Sequence, residues 1–290
     1  MCSFQTGMRP PVAAAFRGLR VLSGGAGPAF TPALPGPARA APYAPTRRGL
    51  GRQVVYLPAC VARTFGPAPG DPEDRALADA VRSLLDKAGY DVRFPAALPS
   101  LCCGLAFESK GFPELADQKA RELERALLEA SDGGAVPVLC DTSPCLQRMR
   151  KTLDARLTLL EPVEFIHDHL RDKLAFRREP GPVALHVTCS ATKMGLAGKL
   201  EAVARLCAEQ VVIPPGVGCC AFAGDRGFSH PELNASALSQ LEAGLPDGCR
   251  EGFSNSRTCE IGLSHHAERP YRSIVYLVDR CTSPLPGDAA

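Results

Sequence analysis

The sequence predicts an α/β protein: two homologous halves with mostly parallel sheets, preceded by a disordered N-terminal tail. Three observations predict this. From residue 53 onward, short apolar runs alternate with stretches of helical period, the pattern of α/β layers. An internal repeat matches the two halves of that region block by block. At 290 residues the chain is long enough for two buried cores at about 150 residues per domain.

The elements follow in order. Eight arginines (Arg9, Arg17, Arg20, Arg39, Arg47, Arg48, Arg52, Arg63) precede the first acidic residue, Asp71, among many Ala, Gly and Pro. So few large apolar groups cannot offset the entropy of ordering, and residues 1–52 are expected to be disordered. The plain reading is a linker or start-site remnant. An Arg-bearing, acid-poor run also fits an organellar transit peptide, but Pro10 with Pro11, then Pro28, Pro32, Pro35 and Pro37, would break the helix such peptides form. Cys2 lies in this tail and has no expected ligand role.

The alternation begins with Val54 to Leu57, Ala76 to Ala88 and Tyr90 to Phe94. It continues through Leu115 to Leu128, Val136 to Cys140, Leu157 to Leu160 and Val163 to Leu174. After a Pro/Gly break at Arg178 to Pro182 come Val183 to Val187, Leu196 to Glu209, Val211 to Ile213, Leu233 to Leu241 and Ile274 to Val278. The expected modules are therefore 53–178 and 179–283, with a short tail at 284–290.

The repeat has three blocks in the same order. Cys60-Val-Ala-Arg-Thr-Phe-Gly66 matches Cys189-Ser-Ala-Thr-Lys-Met-Gly195. Cys102-Cys103 with Gly111-Phe112-Pro113-Glu114-Leu115 matches Cys219-Cys220 with Gly227-Phe228 and Pro231-Glu232-Leu233. Asp141-Thr-Ser-Pro-Cys145 matches Asn255-Ser-Arg-Thr-Cys259.

Composition removes several classes of function. Lys plus Arg total 33 against 31 Asp plus Glu, so no electrostatic footprint marks a nucleic-acid partner. No run of 18 apolar residues suggests a membrane span. The 13 cysteines, an odd number spread over a long chain, point to metal or redox chemistry in a reducing compartment rather than a disulfide framework. The repeat divides them into four per half and five others: Cys2, Cys140, Cys207, Cys249 and Cys281.

In each half the first Cys follows an expected strand, and the other blocks lie at turns that precede helices. Such turns gather at the carboxyl ends of parallel strands, where ligands bind. Packed thiolates repel, and helix N-termini or a soft metal offset this. Structural zinc usually takes C-x-x-C pairs, which are absent, as is the ferredoxin run of cysteines. Two adjacent thiolates can reach different irons of one cluster. A thiol switch at Cys102-Cys103 stays open as an alternative.

These residues resemble a known family. Cys102-Cys103-Gly104 with the spaced Cys60 and Cys145 is similar to the cysteine-rich CCG domain, found in tandem in heterodisulfide reductase and in the iron-sulfur subunits of glycolate oxidase. A closer likeness is to the C-terminal part of bacterial FAD-linked D-lactate or D-2-hydroxyacid dehydrogenases. It rests on Leu101 to Phe112, Cys140 to Cys145, Pro162 to His167, Leu185 to Ser190, Phe222 to Phe228, Pro231 to Leu238 and Asn255 to Leu263, and covers roughly residues 53 to 283. The resemblance implies two pseudo-symmetric α/β modules holding iron-sulfur clusters of 4Fe-4S type, and an oxidoreductase component passing electrons from flavin to a quinone or cytochrome. By the same resemblance Cys60, Cys102, Cys103 and Cys145 are ligands in the first half, and Cys189, Cys219, Cys220 and Cys259 in the second.

Three positions depart from the family pattern. The C-x-x-C end is reduced to Thr142-Ser-Pro-Cys145 and Ser256-Arg-Thr-Cys259, so the five-cysteine non-cubane cluster of heterodisulfide reductase is not required. Cys140 could add a fifth thiol, but Ser254 is its counterpart. Ala221 stands where the family usually has Gly. The flavin domain that precedes this region in the full-length dehydrogenases is not found in this sequence. The expectation is a separate subunit that docks on an FAD-binding dehydrogenase subunit, or a fragment of a split gene. The expected location is cytoplasmic, at the inner face of the membrane through partners, with a mitochondrial alternative.

Other residues have plainer readings. Gly216-Val-Gly218-Cys-Cys-Ala221 matches a dinucleotide fingerprint, but Pro214 and Pro215 cut the strand it needs. Lys110 and Arg226, downstream of the two Cys pairs, are candidates to tune a cluster through charge. His186 reads as a core histidine, His167 and His169 face different sides of a helix, and His265 and His266 close one. Asp141 and Asn255 read as N-caps, and Cys207, Cys249 and Cys281 as small buried apolar residues. Two rival functions remain open on the sequence: a thiol/disulfide redox module, and a cofactor-less or zinc-bound docking scaffold.

Overall fold

The computed structural model describes residues 9–39 and 43–286. Helix α1 (Arg9–Leu22) comes first. Next are β1 (Arg52–Leu57), α2 (Cys60–Thr64), α3 (Leu77–Lys87) and β2 (Tyr90–Arg93), then a 3-10 turn at Leu98–Ser100. The first half continues with α4 (Leu105–Ser109), α5 (Pro113–Ala130), β3 (Val138–Cys140), α6 (Ser143–Thr152), β4 (Leu159–Leu160), α7 (Pro162–Phe165) running into a π turn at Ile166–Leu170, and β5 (Leu174–Phe176). The second half has β6 (Glu179–Leu185), α8 (Cys189–Lys193), α9 (Ala197–Cys207), β7 (Ala208–Val212), α10 (Arg226–Ser229) and α11 (Pro231–Ala237). It ends with β8 (Gly252–Ser254), α12 (Arg257–His266), β9 (Tyr271–Ser273), α13 (Ile274–Arg280) and β10 (Thr282–Pro284).

The two main sheets have the same topology. In the first the order is β2-β1-β3-β4, in the second β7-β6-β8-β9, and every pairing within them is parallel. The repeat seen in the cysteines is thus a repeat of architecture. One small antiparallel sheet, β5 with β10, joins the last strand of one half to the last strand of the other.

Burial follows from strand period. Along β1, Val54 and Tyr56 point into one cluster while Val55 and Leu57 point into another, so this strand is covered on both faces. Along β6, Val183 and Leu185 share the first of those clusters, and Ala184 faces a third. The shared cluster is a layer between the sheets, filled by Leu85 of α3, Phe165 of α7, Val203 of α9 and Leu277 of α13. Each such side chain contributes roughly 1.5–3 kcal/mol of burial, so the two halves stabilise one another.

Several expectations change. Within the segment expected to be disordered, Arg9–Leu22 form a helix. Pro10 and Pro11 sit in its first turn, where no intrahelical N–H is lost, and the alanines that follow favour helix. The segment folds back on itself, with Phe16 and Phe30 rings 6.0 Å apart, and touches the second half through the Ala29 N–H donating to the Phe228 carbonyl at 2.6 Å. Val21 and Leu22 stay 80% and 88% exposed, so α1 itself buries little. Residues 1–8, with Cys2, lie outside the described residues, as do 40–42 and 287–290. The Pro/Gly stretch at 178–182 runs into β6, which starts at Glu179 with a register shift between Glu179 and Pro182. The run Ile274 to Val278 is helical and lies in the shared layer.

Candidate functional site: two four-thiol clusters

At the first cluster three loops converge on the carboxyl ends of β1 and β3. Cys60 opens α2, three residues past β1; Cys102 and Cys103 lie between the 3-10 turn and α4; Cys145 is in the first turn of α6. Their thiols form a chain of hydrogen bonds, Cys60 to Cys102, Cys102 to Cys103 and Cys103 to Cys145. Cys102 accepts from both neighbours and also from the Gly104 N–H at 3.4 Å, which holds it as a thiolate with its pKa drawn down to about 2. The donors, Cys103 and Cys60, are pushed up for the same reason, with burial adding to it.

Arg63, one turn beyond Cys60, supplies positive charge that favours the thiolates. Its guanidinium is fixed by the carbonyls of Leu98 and Leu101, each at 2.5 Å. Leu101, Leu123 and Met149 wall the small cavity that these cysteines share with Cys140. Cys140 is wholly buried, and burial raises its pKa.

The second cluster uses the matching loops. Cys189 opens α8, Cys219 and Cys220 lie between β7 and α10, and Cys259 is in the first turn of α12. Cys259 shares a 2.9 Å hydrogen bond with Cys220, which lowers the pKa of Cys220 and raises that of Cys259. Cys189 is hydrogen-bonded to Cys219, and burial raises its pKa. Backbone N–H groups of Ala221 and Phe222 reach the sulfurs of Cys219 and Cys220 at 3.3 and 3.5 Å. Cys189 and Cys219 are exposed, so this cluster is more open than the first.

The residue after each Cys pair is left-handed. Gly104 has φ +85°, and a Cβ there would come within 2.3 Å of the Ala116 carbonyl oxygen. Ala221, its counterpart, holds φ +52° despite its side chain. The geometry that turns the Cys pair into the site is therefore kept in the second half at a cost in strain.

The clusters adjoin across the contact between halves. The Ser143 N–H donates to the Asn255 carbonyl at 3.1 Å, and the Ser190 hydroxyl donates to Ser143 Oγ at 2.8 Å. Thus the loop carrying Cys145 touches both the loop carrying Cys259 and the turn carrying Cys189. On the surface, Lys110 pairs with Asp225 at 2.7 Å, bridging the segments that follow the two Cys pairs.

Some expected roles change. Lys110 meets Asp225 rather than a sulfur, and Arg226 is exposed at the start of α10. Asp141 is not an N-cap: Thr142 holds that place, and the Asp141 carboxylate accepts from the Ala59 N–H at 2.9 Å and the Tyr56 hydroxyl at 2.7 Å. It therefore ties the Cys60 turn to the Cys145 turn. Likewise Ser256, not Asn255, occupies the N-cap position of α12. His186 is buried, with its pKa lowered to about 4 by burial and Nδ1 3.1 Å from the Ser254 hydroxyl. His167 and His169 take separate partners, the Asp168 carboxylate and the Phe165 ring. Arg63 is a site residue that sequence reasoning missed. For Arg63 the available signal was its place one helical turn after Cys60.

Among the described residues, no group of three or more His, Cys, Asp or Glu is arranged to hold a single metal ion. No helix among them is long and apolar enough to cross a membrane. No family model matches the chain. No curated protein matches it either. Among solved structures it is similar to Picrophilus torridus aspartate racemase, over 79% of this chain and 91% of that one, at 10% identity and a TM-score of 0.36. A likeness of that size assigns no residue a role.

Proposed function

We propose that the chain is the iron-sulfur electron-transfer component of an FAD-linked D-lactate or related D-2-hydroxyacid dehydrogenase, passing electrons from flavin towards a quinone or cytochrome. One observation carries the reading: in both halves, matching loops bring four thiols together at the carboxyl ends of matching parallel sheets.

The donor set fits such a group chemically, because thiolates are the soft ligands that iron-sulfur clusters take. Cys60, Cys102, Cys103 and Cys145 would hold one cluster, and Cys189, Cys219, Cys220 and Cys259 the other. A bound cluster supplies one-electron chemistry at a potential set by its charge, hydrogen bonds and exposure. The chain's own part is electrostatic. The Gly104 N–H and the Arg63 charge favour the ionised form of Cys102, and Arg63 does the same for Cys60. At the second site the N–H groups of Ala221 and Phe222, together with the Lys193 charge, do the same. Apolar walls from Leu101, Leu123 and Met149 leave the first site half-buried, whereas the exposed Cys189 and Cys219 leave the second open to a partner.

Anaerobic purification followed by iron and acid-labile sulfide analysis tests this, with electron paramagnetic resonance of the reduced protein. Iron with matching sulfide and a cluster signal is expected. A folded protein that takes up neither, even on reconstitution, sinks the proposal.

A second reading is a thiol/disulfide module. It is favoured by the direct thiol contacts, since two thiols within hydrogen-bond distance, as at Cys220 and Cys259, are placed for disulfide chemistry. Full activity in metal-free protein, abolished by alkylation, would select it.

A further inference from the structure

Two cysteines outside the repeat meet in the layer between the sheets. Cys207 ends α9 and Cys281 caps α13. Both are buried, at 0% and 2% exposure, and both belong to the core shared by the halves. Their thiols are hydrogen-bonded to each other, and the Cys281 sulfur also lies 3.4 Å from the Cys207 carbonyl oxygen. They are therefore partners, not two isolated small apolar residues as the sequence suggests.

Their position has a mechanical consequence. The Cys281 carbonyl accepts from the Arg177 N–H at 2.8 Å, and the next residue, Thr282, starts β10. That strand pairs with β5 of the first half, Thr282 opposite Phe176. The thiol pair thus sits where the end of the chain crosses from one half onto the other.

We propose that Cys207 and Cys281 form a third thiol site, separate from the two clusters, which oxidises to a disulfide and pins the α13–β10 junction to α9. The oxidant is a small disulfide such as oxidised glutathione. Cys281 gives up its proton as the junction opens and attacks one of its sulfurs, forming a mixed disulfide and releasing one small thiol that takes up the proton. Cys207 then gives up its proton and attacks the Cys281 sulfur, releasing the second. Two protein thiols are oxidised, one small disulfide is reduced, and no other reactant is needed. Because the pair is buried, the junction must open to admit the reagent, so this site reacts after the exposed Cys189 and Cys219. The bridged residues are 74 positions apart, so the bond removes much of the unfolded chain's freedom.

The site stands whether or not the clusters bind iron, and its test reads no iron. Full-length reduced protein is incubated with oxidised glutathione, its free thiols are alkylated in denaturant, and the digest is examined by mass spectrometry alongside thermal melting. A linked Cys207–Cys281 peptide is expected, with a melting temperature raised by about 10 °C and restored by dithiothreitol. Cys281→Ala should lose both the link and the rise. Finding both cysteines alkylated in the oxidised protein overturns the proposal, as does a linked peptide with no rise in melting temperature. A rise that persists in Cys281→Ala overturns it too, because other cysteines would then be its source. Should that variant not fold, the wild-type peptide and melt still decide.

Discussion

At the scale of single residues, the backbone position after each Cys pair shows what the site asks of the chain. Gly104 meets a left-handed turn without cost, while Ala221 meets it with a side chain in place. Gly104→Ala should destabilise the protein by at least about 2 kcal/mol, since the added methyl strikes the Ala116 carbonyl. Ala221→Gly should stabilise it by about 0.5–1 kcal/mol. Urea unfolding of the two variants measures both, and equal effects at the two positions would contradict the shared geometry.

Buried carboxyls carry the second residue-scale expectation. Glu161 is fully buried, accepts from the Val163 N–H at 2.7 Å, and is pushed up to about 8 chiefly by that burial. Its unfolded counterpart loses its proton near the ordinary Glu value, about 4.3. Between those values the unfolded state sheds a proton that the folded state keeps, so stability falls as pH rises through the window. Asp141, raised by burial to about 6, adds a fall at the lower end. Glu161→Gln removes its share: relative to wild type, the variant should gain roughly 1–3 kcal/mol between pH 5 and pH 8. A difference that stays flat across that range in melts at several pH values would contradict it.

At the scale of elements, long periodic stretches were readable and short or unusual ones were not. The apolar stripe of Ala76 to Ala88 and the run Val54 to Leu57 became α3 and β1 with boundaries shifted by a residue or two. Strands β8 and β9 have three residues each, too few for a period to show, and were placed only by pairing with β6 and with each other. Helix α1 escaped notice because its prolines count against a helix interior but not against a first turn. The same limit governs the site. The eight repeated cysteines could be read from spacing, because a duplication prints each twice. The Tyr56–Asp141 bond and the Cys207–Cys281 contact could not, because they join residues far apart in the chain and have no second copy. The shared layer also makes an element-scale prediction. Leu85 of α3 is 1% exposed there, and Leu85→Ala should cost roughly 2–5 kcal/mol. The loss should appear in a single unfolding transition, because one core spans both halves. Two separated transitions in a denaturant melt would show that the halves unfold independently.

At the scale of the whole molecule, duplication explains the arrangement. Two sheets of identical strand order face a common helical layer, β5 and β10 cross between them, and the thiol-bearing loops meet along the same contact. The halves are alike in topology but differ in exposure: the first cluster is walled by apolar side chains and the second is open. The proposed function requires a cofactor at both four-thiol sites. The most direct measurement is iron and sulfide content, with electron paramagnetic resonance, of anaerobically prepared wild type, Cys102→Ser and Cys220→Ser, each checked for folding by its melt. Each variant should lose about half of the wild-type iron, and the two should retain different signals. Wild-type protein with no iron, or variants that keep the full complement, would contradict it.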